Sequence, residues 1–300
     1  AISSAFIKKS IWAIFINLNS RIVMDKLTLS IYGGSGFIGN RFSDISKHKC
    51  IKIDREKRKP KSKEIVYFIS TTHNYHVFDN LKIDIDTNLN VLMEVLETIK
   101  DQQDTVINFI SSWFVYGETS LPAKEDMNCK PKGFYSITKH TAENLLVSFC
   151  ETYNIKYRIL RLSNVYGGED SDVSKKKNAL QYLISEMKND SPIKLYHGGN
   201  FYRDYLHVDD ICKAIDLCVA KGRLNEIINI GSGQKIKFKD VINIAKKELN
   251  SKSKIGTMQP PMFHKVIQVK DFYMDTSKLR KLGFSPKINI NEGIKKLCHH

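Results

Sequence analysis

Gly33-Gly34-Ser35-Gly36-Phe37-Ile38-Gly39 closes an apolar run that begins at Leu27 and opens onto a helical pattern. In a strand–turn–helix unit each of the three spaced glycines has its own task. Gly33 permits the tight turn, Gly36 lets the backbone approach a pyrophosphate, and Gly39 brings the helix close to the strand. The N-terminus of that helix then presents free N–H groups to an anion. Gly33, Gly36, Phe37, Ile38 and Gly39 are therefore expected to hold the phosphates of a dinucleotide. Asp54 stands twenty-one residues after Gly33, at the end of the next apolar run. A carboxylate there accepts hydrogen bonds from ribose hydroxyls and repels a 2′-phosphate, so NAD is expected rather than NADP. Arg55, Lys57 and Arg58 follow directly and offer charge that could accommodate the extra phosphate.

Outward from this motif, short β-branched or aromatic runs at 27–32, 50–54, 65–69, 106–111 and 157–162 alternate with helical patterns at 37–47, 85–100 and 136–153. This alternation predicts an α/β fold, a Rossmann-type doubly wound parallel sheet with helices on both faces. After Tyr166 the rhythm loosens: a helix near Ala179–Lys188, a strand near Ile193–Tyr196 and later short elements predict a smaller C-terminal α/β lobe packed on the first. The expected division is 24–165 for the cofactor domain, with later strands returning from about 201–231, and 166–300 for the lobe.

The chain of 300 residues carries 47 Lys+Arg against 32 Asp+Glu, a net charge of +15, with 42% hydrophobic and 26% charged residues. Such a composition excludes disordered, collagen-like and disulfide-scaffold classes. The basic excess suits anionic partners and by itself selects none of them; a solvated lysine-rich surface explains it equally. Cys50, Cys129, Cys150, Cys212, Cys218 and Cys298 lack metal spacing and read as reduced thiols in a cytoplasm; no metal is expected. Residues 1–23 pair Lys8 and Lys9 with a short apolar run, too short to span a bilayer, and are expected to lie outside the fold, with Met24 as the natural start.

Ser111 and Ser112 end one strand, and Tyr135 and Lys139 sit four residues apart on the next helix. A cationic Lys139 beside a phenol lowers its pKa, making Tyr135 a base, while the Ser112 hydroxyl orients a substrate oxygen. These are the parts for hydride transfer at a secondary alcohol.

Together, Gly33, Gly36 and Gly39, the run Ser111-Ser112-Trp113-Phe114-Val115-Tyr116-Gly117, Tyr135 with Lys139, 160–167, 203–210, 229–233, Asp275 and 282–286 resemble the extended short-chain dehydrogenases of the NAD-dependent epimerase/dehydratase group. The resemblance implies a nucleotide-diphosphate sugar as substrate, with Asn164 and Arg203 on its diphosphate and Lys265 near a further phosphate-binding position. It implies catalysis by Ser112, Tyr135 and Lys139, and a homodimer through the helices after Ile85 and Ser136. The reaction expected first is epimerisation at sugar C4 through a keto intermediate. A 4-ketosugar reductase remains open, as does a non-catalytic RNA- or nicotinamide-sensing protein, although nucleic acid is disfavoured by the intact Ser112, Tyr135 and Lys139.

Three departures from the group stand out. Trp113 and Phe114 occupy positions where 4,6-dehydratases carry an acidic pair, which removes the proton donor that water elimination needs. Only about ten residues separate Asp54 from the strand at Ile65, so the adenine side is expected to be open, with the basic segment 55–63 lying over it. Ser70 and Thr71 replace a small apolar pair, and their hydroxyls are candidates for the cofactor ribose. His73 and His76 flank the expected cofactor cleft and read as surface residues, and His207 reads as a packing residue at a helix start.

Overall fold

The computed structural model describes residues 26–168 and 178–300. The expected leader, 1–23, and Met24 lie outside the described residues.

Six parallel strands form the central sheet: β1 (Thr28–Tyr32), β2 (Lys49–Lys52), β3 (Glu64–Tyr67), β4 (Val106–Ser112), β5 (Lys156–Leu162) and β6 (Glu226–Ile230), in the order β6-β5-β4-β3-β1-β2. Strands covered on both faces are mainly apolar, and the inner ones are so here, interrupted by buried polar residues such as Ser30, Asn108 and Arg158. Leu29, Ile31, Val66, Leu160, Ile228 and Ile230 turn to one face, where they meet Phe42 of α1 (Phe37–Ile45) and Ile211 and Ile215 of α5 (Val208–Lys221). Tyr32, Ile65, Tyr67, Ile107, Phe109 and Ile159 turn to the other, against Leu92 and Leu96 of α2 (Val91–Glu97) and Leu146 of α3 (Phe134–Tyr153). The sheet is thus doubly wound. Strand β6 enters it from beyond the loosened part of the sequence. A separate core joins α4 (Ala179–Lys188), α6 (Phe238–Glu248) and α7 (Ile290–His299) through Ile184, Leu195, Val241, Ile242 and Ile294.

Two boundaries differ from the sequence reading with consequences for the site. Strand β2 stops at Lys52, so Asp54 lies in the turn beyond it, exposed, with its carboxylate 3.0 Å from Lys57 Nζ. The segment 55–63 does not lie over an open edge. It crosses the sheet face above β1: the Ser30 hydroxyl accepts from the Lys61 and Ser62 N–H groups, both at 2.9 Å, and the Tyr32 hydroxyl donates to the Arg58 carbonyl. Arg58 pairs at 2.5 Å with Glu94 of α2. Buried polar atoms on β1 therefore replace the apolar face that a crossover helix would need, which is why eleven residues suffice between β2 and β3.

Candidate active site

The carboxyl ends of β1, β3, β4 and β5 open onto one cavity of about 510 Å³, closed on the far side by the second lobe. In open α/β sheets ligands bind at this position. Of the residues named from sequence, Gly33, Gly36, Phe37, Ile38, Gly39, Ser70, Thr71, Ser112, Tyr135, Lys139, Asn164 and Arg203 all line it. Asp54 and Lys265 do not. The turn that carries Asp54 points it at Lys57, and Lys265 is exposed while the preceding His264 faces the cavity. On the short helix Met262–Ile267, the cavity-facing positions are His264 and Ile267, one turn apart, so the next residue points away. His73, expected to flank the cleft, lines the cavity and stacks on His76 with ring centroids 4.0 Å apart.

The glycine turn fits a dinucleotide phosphate. Gly33 has φ +75°, and a Cβ there would stand 2.9 Å from the Ile69 nitrogen; one on Gly39 would stand 2.3 Å from the Gly33 oxygen. A Cβ on Gly36 meets nothing closer than 3.5 Å, so its open side faces the cavity. No side chain caps the start of α1 and no acidic residue sits in its first turn. Its N–H groups and positive dipole end are thereby available to an anion.

The catalytic candidates converge across two elements. Ser112 ends β4, where its hydroxyl accepts from the Phe114 N–H at 3.3 Å and caps the short turn that follows. Tyr135 and Lys139, one turn apart on α3, are both buried. Burial pushes the Tyr135 phenol up, against the downward pull of the adjacent Ser112 and Ser70 hydroxyls. The expected lowering by Lys139 is thus not what dominates. Lys139 is itself desolvated, its Nζ 4.2 Å from the centre of the Phe109 ring, and burial brings it down to about 7 despite the opposing charge of Glu143. A lysine near half-protonation is a weaker positive neighbour than an ordinary one.

Behind this group lies a polar network that sequence reading did not single out. Asn88, in a π-helical turn (Asp86–Asn90) preceding α2, is 2% exposed. It accepts from the Thr71 N–H at 2.8 Å and the Ser70 hydroxyl at 3.1 Å, and donates to the Thr71 and Thr138 hydroxyls, both at 2.9 Å. The Thr71 hydroxyl donates to buried Asp84. Ser70 and Thr71 do line the cavity, with their hydroxyl protons directed inward. An asparagine on the apolar face that also carries Leu92 and Leu96 was the available signal.

Arg203 is 7% exposed and has no carboxylate within ion-pair distance among the described residues; three carbonyls, of Tyr202, Lys270 and Val269, hold its guanidinium at 2.6–3.2 Å. Asp204 turns instead to Ser232, Gly233 and Met274. A buried guanidinium held by carbonyls, with Asp271 acting on it only from beyond ion-pair distance, prepares the cavity for an anion. The Asn164 side-chain amide donates to the Asp204 carbonyl at 3.1 Å. Asn74 and Ser163 line the cavity, and their Oδ1 and Oγ are buried without hydrogen-bond partners among the described residues. Trp113 and Phe114 stack with centroids 4.0 Å apart, and Phe114 meets the Tyr135 ring edge-on at 6.0 Å. Across the cavity mouth, Tyr75 bonds His264, and Phe78 packs on Phe263 at 4.6 Å, tying the first lobe to the second. Among the described residues no helix is long and apolar enough to cross a membrane, and no cluster of three metal-ligating side chains occurs.

Comparison with known proteins agrees with this geometry. The sequence profile of the NAD dependent epimerase/dehydratase family matches residues 65–231. A Methanocaldococcus jannaschii protein named "Putative UDP-glucose 4-epimerase" is 33% identical over 224 residues, covering 74% of this chain and 71% of that one. The chain therefore belongs to the NAD dependent epimerase/dehydratase family. It is also 27% identical to the dTDP-4-dehydro-6-deoxyglucose reductase of Escherichia coli, over 78% of this chain and 73% of the relative. Among solved structures, the Thermotoga maritima UDP-glucose 4-epimerase with UDP-glucose superimposes with a TM-score of 0.80 at 21% identity, covering 91% of this chain and 98% of that one. That match shares the fold.

Proposed function

We propose that the protein is an NAD-dependent nucleotide-sugar epimerase acting at sugar C4. One observation carries this reading: Ser112, Tyr135 and Lys139 meet the glycine turn in a single cavity whose next two residues after Ser112 are the aromatics Trp113 and Phe114. Gly33, Gly36, Phe37, Ile38 and Gly39 would hold the NAD diphosphate, with Lys139 reaching a ribose. When bound, NAD supplies a group that takes a hydride from C4 and returns it. Tyr135 accepts the O4 proton as the C4–H bond breaks and C4=O forms, and Ser112 hydrogen-bonds that oxygen throughout. The keto sugar then turns over, and Tyr135 returns the proton to O4 as C4 is reduced on its other face. Arg203 and Asn164 anchor the diphosphate, so the sugar rotates about a fixed point. Names of relatives support UDP-sugars as the substrate class: besides the Methanocaldococcus protein, the UDP-glucuronate 4-epimerase of Thermodesulfobacterium geofontis is 28% identical over 73% of this chain.

We place the enzyme in the cytoplasm as a homodimer. Its six cysteines are unpaired. Ile85, on the short helix Ile83–Ile85, and Phe134, Ile137 and Leu145 of α3 are 39–44% exposed, as side chains of a dimer face would be. The test is to incubate the protein with UDP-glucose, UDP-galactose and their uronate and N-acetyl counterparts, and to follow C4 inversion by NMR. Y135F should lose about 10²–10⁴-fold in rate.

A second reading, a nucleotide 4-ketosugar reductase, is favoured by Asp54: exposed and paired with Lys57, it leaves the choice between NAD and NADP to neighbouring groups. Turnover of 4-keto sugars at the expense of added NADPH would select it.

A further inference from the structure

Phe114 touches both groups assigned to the reacting oxygen. Its backbone N–H donates to the Ser112 hydroxyl at 3.3 Å, and its ring meets that of Tyr135 edge-on at 6.0 Å. The ring is half-buried and lines the cavity. Trp113, 4% exposed, stacks against it at 4.0 Å and rests in turn on Phe272 at 4.5 Å, with the Arg203 guanidinium 5.4 Å from the Trp113 ring centre. Val115 and Met274 extend the apolar backing. From Tyr135 to Arg203 the cavity wall is therefore aromatic, and the Phe114 side chain carries neither donor nor acceptor.

A sugar whose O4 reaches Ser112 and Tyr135 and whose diphosphate reaches Arg203 must lie along this wall. The ring atoms beside C4 are C3 and C5, and C5 carries C6. Half a turn of the keto sugar about the line from C1 to C4 exchanges those two edges. Whichever edge meets Phe114 first, the C6 edge meets it in the other half-reaction. A hydroxymethyl group tolerates this contact, because its CH2 packs on the ring while its hydroxyl turns away. A C6 carboxylate must instead shed water against a surface that returns no hydrogen bond.

We propose that Phe114, backed by Trp113, is a specificity-determining residue that restricts the reaction to nucleotide sugars neutral at C6 and rejects uronates. The inference rests on the C4-epimerase reading. In that reading Arg203 is taken by the diphosphate and Lys139 by a ribose, while Lys194, which also lines the cavity, reaches it from the second-lobe strand Ile193–Tyr196.

The experiment sets UDP-glucose and UDP-galactose against UDP-glucuronate and UDP-galacturonate on the wild type, F114L and F114S. It reads C4 inversion, and calorimetric affinity of the NAD-loaded protein for all four sugars. The wild type should favour the neutral pair by about a hundredfold in kcat/KM. F114L keeps the wall apolar and should keep that ratio whatever rate it loses; F114S admits water and should narrow it to about tenfold or less. A ratio between substrates cancels general loosening of the site and any loss of folded protein. Equal wild-type kcat/KM for neutral sugars and uronates, or an F114S ratio that coincides with wild type, would overturn the proposal. If none of the four sugars is inverted, the epimerase reading fails instead, and the affinities decide for Phe114: in at least one C4 epimer the uronate should bind more weakly, with the gap narrowed in F114S, and equal affinities in both epimers would overturn its role.

Discussion

Glu143 and Arg161 form a two-pronged buried ion pair, with Nε at 3.0 Å and Nη2 at 2.7 Å from the two carboxylate oxygens, one helical turn beyond Lys139. Each side chain is 2–3% exposed. The pair ties α3, which carries Tyr135 and Lys139, to β5, so it fixes the helix that presents the proposed catalytic groups. Burial alone would raise the Glu143 carboxyl, yet the hydrogen bonds of His140 and Arg161 and the Arg161 charge outweigh it and hold it low. A carboxyl held low contributes stability above its unfolded pKa and loses it as pH falls through the folded value.

E143Q leaves the Arg161 charge buried without its partner. We expect a loss of about 3–5 kcal/mol in stability, read from chemical denaturation near neutral pH. The difference between wild type and variant should narrow as the solution is made acidic.

Lys139 is displaced in the same direction as Glu143, but its buried charge costs stability where that of Glu143 adds it. Burial lowers it to about 7, so the native state resists a proton that the unfolded chain accepts readily. K139M should abolish turnover and yet raise the melting temperature. The gain should be larger near about pH 6, where the native lysine must be charged, than near about pH 9, where it is neutral. Equal gains at both values would show that the lysine is not desolvated as described.

Arg203 brings a buried positive charge to the cavity, with no carboxylate at ion-pair distance among the described residues. R203A should raise KM for a UDP-sugar by roughly tenfold to a hundredfold, the worth of a charge-assisted contact, with a smaller effect on kcat. R203K should recover only part of this, because an ammonium cannot span the three carbonyls that orient the guanidinium. Titration of binding by calorimetry separates this from a folding defect.

Ile137 and Leu145 are exposed on the same side of α3. I137E combined with L145E should convert the proposed dimer to a monomer in light scattering. A wild-type protein that is already monomeric would remove the dimer from the account.

Much of the site was legible in the sequence because its chemistry is local. The glycine spacing needs only a strand and a helix around it, and Tyr135 with Lys139 needs only one helical turn. The setting of Asp54 was not legible, because strand β2 ends two residues before it and a turn brings Lys57 to its carboxylate. That of Lys265 was not legible either, because one position on a short helix separates the cavity-facing His264 from an exposed side chain. The course of the segment 55–63 depended on the Ser30 and Tyr32 hydroxyls, which read as ordinary strand residues. Asn88, Asp84 and Thr71 are bound by tertiary contacts across 13–17 residues, with no periodic pattern to announce them.

The central claim is that the cavity holds NAD through both half-reactions of a C4 inversion. The most direct test is mass spectrometry of the nucleotides released when the purified protein is denatured, joined to an assay on UDP-sugars with no cofactor added. Release of stoichiometric NAD, together with interconversion of C4 epimers, is the predicted result. A protein that releases no nucleotide, and turns over only 4-keto sugars when NADPH is supplied, would contradict it.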